Sequence, residues 1–291
     1  MTAKPTDDIE SRLRTALPDL TRAERQLAAH MLNGFPVPVL GSVAAVARGA
    51  GVSAPTVIRL VQKLGFAGYP DFQAQLRGEL GARLASPISK HEKWAARGLE
   101  GHVLTRITEH VVANLHATLR QIDAEGFDRV ADLLADRERR IHMLGGRLTQ
   151  ALAGYFVTAL KVMRDDVALL SHQSSDWPAA LVEMRPGDVM VAFDIRRYEN
   201  AVLHVVEVAR EQGAEVVLIT DRWVSPAAAH AQHLMPCHIE VPSAWDSLAS
   251  PMLLVEALLA AVQTRNWDDT SARLRRLEAL YERTRIFQRQ R

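Results

Sequence analysis

A single cysteine, Cys237, is all the thiol this 291-residue chain contains. That excludes an internal disulfide framework and suits a reducing compartment. No apolar run approaches the roughly 20 residues that a membrane-spanning helix needs, so no membrane partner is expected. No basic stretch at the N-terminus leads into an apolar one, so no secretory leader is expected and the expected location is cytoplasmic. Excess charge of either sign is also lacking: 35 Lys and Arg against 34 Asp and Glu leave a formal net charge of +1. Overall charge is a poor guide to nucleic-acid binding, because a DNA reader needs its basic residues on one face only. The N-terminal third carries a modest excess of Arg and Lys, the C-terminal tail is rich in Arg, and acidic residues elsewhere cancel both. Internal repeats and low-complexity segments are missing, as is any metal-ligand spacing. Cys237 and His238 stand without further ligands, and His102, His110 and His116 lie apart on one helical stretch. No metal and no cofactor are expected, and composition alone leaves the function open.

What is present is 48% hydrophobic residues in a length that suits about two domains. Up to about Leu84 the signals are helical. Ile9, Leu13 and Leu17 recur at helical spacing before Pro18, and Thr21 with Glu24 forms a capping box ahead of a stripe of Leu27, Ala28, Met31 and Leu32. Gly34, Pro36 and Pro38 then break the chain. Ser42 to Gly51 reads as a short capped helix. Ser53 caps a second one, with Pro55 in its first turn and Gly65 at its end. The stretch from about Gly81 to Gly101, rich in small and polar residues, reads as a linker or its flanking helix.

From about Arg139 the pattern changes to short apolar runs alternating with helices. The runs are 141–144, 167–170, 188–193 and 215–220, each as apolar as a strand buried on both faces. Alternation of this kind predicts an α/β fold with a parallel sheet and right-handed crossovers. A final apolar helix is expected over roughly 248–263, followed by the Arg-rich tail.

Two short helices joined at a glycine turn are the arithmetic of a helix-turn-helix, in which the second helix presents its N-terminal residues to DNA. Val57, Leu60, Val61 and Leu64 form its expected buried stripe. Ser53, Ala54, Thr56, Arg59 and Lys63 are the expected contact residues. Thr56 suits phosphate or a thymine methyl, Arg59 a guanine edge or phosphate, and Lys63 and Arg48 phosphate. On spacing alone, a small helical bundle with solvated basic residues fits equally well.

The motifs tip that balance. Ala50-Gly51-Val52-Ser53, Thr56-Val57, Lys63-Leu64-Gly65-Phe66 and Gly68-Tyr69 run through one continuous stretch that resembles the N-terminal domain of RpiR/MurR-type regulators. The resemblance implies a DNA-binding transcriptional regulator, with double-stranded operator DNA as partner and a sugar-isomerase (SIS) domain behind the reader. The expected division is a helix-turn-helix domain over 1–85, a linker and connecting helix over 86–125, a doubly wound SIS-like domain for effector binding and dimerisation over 126–270, and an Arg-rich tail over 271–291. The chain is expected to work as a homodimer or higher homo-oligomer.

Ligands of doubly wound sheets sit beyond the carboxyl ends of the strands. Two loops there open helices, whose N-termini favour anions: Gly145-Gly146-Arg147-Leu148-Thr149 and Asp194 to Asn200. Sugar-phosphate-binding relatives are expected to show Gly-x-Gly-x-Ser in the first and Ser-x-Ser-Gly-x-Thr in the second. This chain keeps Gly145, has Arg147 at the second glycine position and Thr149 for the serine, and replaces the second motif with Asp194, Arg196, Arg197 and Tyr198. In one reading Gly145, Gly146 and Thr149 frame the site while Arg147, Arg196 and Arg197 hold a small anionic effector through forked bonds and Asp194 orients a hydroxyl or amine. In the other, Asp194 pairs internally with an arginine and the domain serves only to dimerise. A sugar-phosphate isomerase remains the enzymatic alternative, and a ligand-blind DNA binder a third. The phosphate cradle that isomerisation would need is missing, so no catalytic residues are assigned.

Overall fold

The computed structural model describes residues 9–33, 39, 42–84, 86–96 and 101–287. Gly34, Pro36 and Pro38, residues 97–100 of the expected linker and residues 288–291 of the tail lie outside them. The chain divides into two compact units, 1–85 and 86–291.

In the first unit the helices are α1 (Ile9–Ala16), α2 (Arg22–Leu32), α3 (Val43–Ala50), α4 (Ala54–Lys63) and α5 (Tyr69–Leu84). Their boundaries follow from local chemistry. Thr21 Oγ1 accepts from the Glu24 amide at 3.4 Å, and the Glu24 carboxylate accepts from the Thr21 amide at 2.9 Å, which satisfies two otherwise unpaired donors at the start of α2. Ser42 Oγ accepts from the Ala45 amide at 3.3 Å to start α3. Gly51 ends α3 at φ 65°, a left-handed conformation that glycine enters without steric cost. The apolar stripes then meet in one cluster, in which Ile9, Leu13, Leu27, Met31, Val57, Leu60, Val61 and Phe72 are fully buried. Each such side chain contributes about 1.5–3 kcal/mol relative to exposure.

In the second unit, α6 (Pro87–Ala95), α7 (Val103–Gln121) and α8 (Ala124–Ala135) lead into β1 (Ile141–Gly145), α9 (Gln150–Met163), β2 (Val167–Leu169), α10 (Trp177–Val182), β3 (Val189–Asp194), α11 (Asn200–Glu211), β4 (Glu215–Asp221), β5 (His233–Cys237), α12 (Ala249–Arg265) and α13 (Trp267–Thr284). All five strands are parallel, in the order β2-β1-β3-β4-β5. Every residue of β1 and β3 is buried, which is why both read as unbroken apolar runs. The order reverses direction between β1 and β3, and the loops leaving those two strands flank the crevice where doubly wound sheets take ligands.

Two features differ from the sequence expectation. β5 was not expected, because Pro236 and His233 interrupt its apolar pattern; as an edge strand it tolerates a proline that a central strand would not. Residues 86–125 are part of the second unit rather than a linker. Lys90 of α6 is buried against Asp246, Asn114 of α7 donates to the Glu240 carbonyl at 2.9 Å, and Thr118 Oγ1 accepts from the His238 amide at 2.9 Å. At the far end, the tail continues as α13, whose Arg273 donates to the Lys161 carbonyl of α9 at 3.0 Å. No helix among the described residues is long and apolar enough to cross a membrane.

Candidate DNA-reading helix and sensor site

α4 buries Val57, Leu60, Val61 and Leu64 and leaves Ser53, Pro55, Ile58, Arg59, Gln62 and Lys63 exposed, with Ala54 at the margin. Arg48 is exposed on α3. Thr56 corrects the sequence expectation, being only 5% exposed. It lies one turn before Leu60 and shares that inward face. Its Oγ1 lies 2.9 Å from Ser53 Oγ and accepts from Arg59 Nη2 at 3.3 Å. Thr56 is therefore buried at the edge of the helix with its hydroxyl bonded to Arg59, and Ser53 starts the helix without a side-chain bond to its backbone. Lys63 also differs. Its ammonium sits 2.8 Å from the Glu24 carboxylate, which is 4% exposed, and this bond holds Glu24 below the usual carboxylate range. Lys63 thereby ties α4 to the start of α2, while its own side chain stays 46% exposed. The outward face of α4 is thus Ser53, Arg59 and Lys63 together with Pro55, Ile58 and Gln62, three residues that the sequence expectation did not name.

At the strand ends, the β1 and β3 loops are stitched together. The Gly146 amide donates to the Phe193 carbonyl at 3.2 Å, and Thr149 Oγ1 donates to the same carbonyl at 3.0 Å. Gly145 donates to Gln150 Oε1 at 2.8 Å, and Gln150 Nε2 in turn reaches the Leu170 carbonyl at 2.7 Å beyond β2. A side chain on Gly145 would place its Cβ 2.5 Å from the Gln150 backbone nitrogen, so the glycine is sterically required. Thr149, expected to frame the site, is buried and bonded within the protein.

Glu199 is the residue that sequence reasoning missed. Its Oε1 accepts from the Arg147 amide at 2.8 Å, and a Cβ on Gly146 would come within 2.7 Å of the same oxygen. The chain's own carboxylate thus occupies the position, just ahead of α9, where an effector anion was expected.

Asp194 is 2% exposed. It accepts from Ser225 Oγ through a short contact and from the Glu199 amide at 3.3 Å; neither partner is the arginine that the internal-pairing reading supposed. Burial pushes its carboxyl up to about 6, against the pull of those two hydrogen bonds. Asp221, also buried and also raised by burial, accepts from the Arg196 amide at 2.6 Å, the Tyr198 hydroxyl at 2.7 Å and the Trp223 amide at 2.9 Å. Thr220 and Ser225 join this network: Thr220 Oγ1 donates to the Asp194 carbonyl at 2.7 Å, and Ser225 caps the turn after β4.

Arg196 requires the largest correction. It is 8% exposed, with Nε 3.1 Å from Asp246, Nη2 3.5 Å from Glu240 and its guanidinium 4.2 Å from the Trp223 ring centroid. Tyr198 is likewise engaged with Asp221. The exposed cations of the two loops are Arg147 and Arg197. No signal in the sequence linked Arg196 to Asp246 or Glu240, which lie 50 and 44 positions away.

Residues 8–83 match the model of the rpiR-family helix-turn-helix domain, and residues 133–261 match that of the SIS domain. The chain belongs to the RpiR-type regulators. Over 272 residues it is 25% identical to the HTH-type transcriptional regulator HexR of Pseudomonas aeruginosa, which takes in 91% of this chain and 93% of that one. The sugar isomerase domain of an RpiR transcription factor from Sphaerobacter thermophilus superposes with a TM-score of 0.58 at 22% identity, covering 62% of this chain and 99% of that one. The Vibrio vulnificus NanR protein complexed with ManNAc-6P does so with a TM-score of 0.56 at 18% identity, covering 95% and 99%. These two likenesses concern the fold. Within it, this RpiR-type chain has filled the start of α9 with Glu199 and drawn Arg196 inward, so its sensor loops depart from the hydroxyl-and-glycine pattern expected of sugar-phosphate binders.

Proposed function

We propose that this RpiR-type regulator reads a near-palindromic operator as a homodimer, through Arg59 and the exposed face of α4, with Arg48 on phosphate. Its operator affinity is set by a small anionic, sugar-derived effector at the ends of β1 and β3, where Arg147 and Arg197 remain exposed. It carries no catalytic activity and works in the cytoplasm, where its DNA partner is. The observation that carries the reading is the pairing, in one chain, of an rpiR-family reader with a SIS sheet whose switch-point loops carry exposed arginines. The phosphorylated sugar held by the NanR neighbour supports a sugar-derived class of effector. Effector binding that favours one placement of the readers over another couples the two sites, typically by about 1–3 kcal/mol, a several-fold to hundred-fold change in operator affinity.

The test is selection from a randomised duplex pool with purified full-length protein at moderate salt. Enrichment of a two-fold-symmetric site supports the reading; recovery of no preferred sequence overturns it. Gel shifts on the selected site, with and without anionic metabolites, then test the sensor.

A further inference from the structure

Beyond the β1/β3 crevice, a second group of polar side chains gathers at the ends of β3, β4 and β5. Lys90 of α6 is 2.5 Å from Asp246. Asp246 also pairs with Arg196, and Glu240 lies 3.5 Å from Arg196 and 3.8 Å from Arg222. The Trp223 ring lies against both guanidiniums, at 4.2 and 4.8 Å. These groups are far from fully used. Arg196 Nη1, Arg222 Nε and Trp223 Nε1 are buried and have no hydrogen-bond partner among the described residues. An unpaired buried donor costs about 1–3 kcal/mol, and native folds retain few of them. Three such donors on three touching residues, with no unpaired acceptor among them, define a place that lacks an acceptor. The backbone agrees, since Arg196 and Val224 both hold positive φ, 68° and 58°, and strain of this kind gathers at ligand sites.

We infer that Arg196, Arg222 and Trp223 form a seat for the carboxylate of a small organic acid, closed on one side by Lys90 and Asp246. The inference rests on the effector reading above and names the acid group through which the effector is held. Charge selects the class. Glu240 and Asp246 already share the three cations, and Asp221 lies behind the Arg196 amide, so a phosphate dianion would meet two or three negative neighbours. A carboxylate brings one charge and two planar acceptor oxygens, which suits guanidinium and indole N–H donors. The seat is also separate from the start of α9, which Glu199 fills.

The experiment uses full-length ¹⁵N-labelled protein titrated with acetate, inorganic phosphate and acetamide, each against chloride at equal ionic strength. The readout is the indole N–H signal of Trp223, identified by its loss in Trp223→Phe. Acetate is expected to move that signal saturably, and Arg222→Gln, at a partly exposed position, to weaken the effect about tenfold. A larger or tighter response to phosphate overturns the carboxylate class. A response to acetamide equal to that of acetate overturns the requirement for charge, and no saturable response to any of them overturns the seat. Operator binding measured on the same preparations keeps the two proposals apart. Sequence-selective DNA binding without an acetate response removes the seat alone, whereas an acetate response without DNA selectivity removes the regulator reading alone.

Discussion

Replacing Asp194 with asparagine is expected to stabilise the second unit at neutral pH, although Asp194 is a buried residue with two hydrogen bonds. Its carboxyl sits at about 6 in the folded chain, against 3.8 for an ordinary aspartate. A carboxyl raised on folding stabilises the fold only below its unfolded pKa, and that advantage is lost as pH rises through the folded value. At about pH 7.5 the ionised, buried form therefore costs about 3 kcal/mol, at 1.36 kcal/mol per pKa unit. At about pH 5 roughly half of that cost remains, and below about pH 4 none does. Asparagine removes the cost but keeps one acceptor where aspartate had two, so about 1 kcal/mol returns as a poorer bond to Ser225 or to the Glu199 amide.

The net expectation is a gain of about 2 kcal/mol near pH 7.5, or about 1 M in urea midpoint for a slope of about 2 kcal/mol/M. The gain should shrink and then reverse sign as the pH falls towards 4. Tryptophan fluorescence isolates the right unit, because Trp94, Trp177, Trp223, Trp245 and Trp267 are all five of the tryptophans and all lie within 86–291. Comparing variant with parent at each pH cancels the other titrating groups. A variant less stable than the parent by the same amount at pH 7.5 and pH 4.5 would refute the reasoning, since the carboxyl would then act through its bonds and not through its charge.

Three further outcomes are expected. Gly145→Ala drives its Cβ into the Thr149–Gln150 backbone at 2.5 Å and should lower the stability of the second unit by about 2–3 kcal/mol. Gly146→Ala meets only the end of the Glu199 side chain and should cost under about 1 kcal/mol in the same urea titration; equal losses would show that Glu199 is as rigidly placed as backbone. Arg59→Ala should weaken operator binding by about 1–3 kcal/mol in gel-shift titrations. Thr56→Val should weaken it less, and should add little in the Arg59→Ala background, because Thr56 acts by orienting Arg59; fully additive losses would return Thr56 to the contact face.

Much of this architecture was legible in the sequence. Caps at Thr21 and Ser42, the glycine at 51 and the apolar stripes placed the reader's helices. Four strands announced themselves as unbroken apolar runs, although β2, at the sheet edge, buries only Val167 and leaves Ala168 and Leu169 exposed, against the expectation of burial on both faces. Period and composition are local, and so are the forces that set helices and strands. Partners are not local. Lys63 meets Glu24 from 39 positions away, and Arg196 meets Asp246 from 50. Neither contact leaves a trace in spacing, so charged residues that looked free for ligand were already engaged. Thr56 failed for a different reason. A four-residue apolar stripe fixes the direction of a helix face but not its width, and a threonine at the edge of that face is polar enough to be read as solvated while small enough to be buried.

The sensor loops show how such engagement can serve function. Arg196 and Val224 occupy the left-handed region without being glycine, a conformation that costs about 1–2 kcal/mol for an ordinary side chain and more for a β-branched one. Asp221 supports both turns: its carboxylate accepts from the Arg196 and Trp223 amides, and its carbonyl accepts from the Val224 amide at 3.0 Å. Thr220-Asp221, which from sequence is only the end of a strand, therefore holds the β3 and β4 loops in strained registers that bring Arg196, Arg222 and Trp223 together. Strain held by one buried carboxylate, itself raised by burial, is a balance that a bound acceptor can tip. An anion pairing with the guanidiniums strengthens the arrangement that Asp221 maintains, and its loss lets the two loops relax. A loop pair poised in this way can favour one of two arrangements according to occupancy, which is what a regulator's sensor has to do.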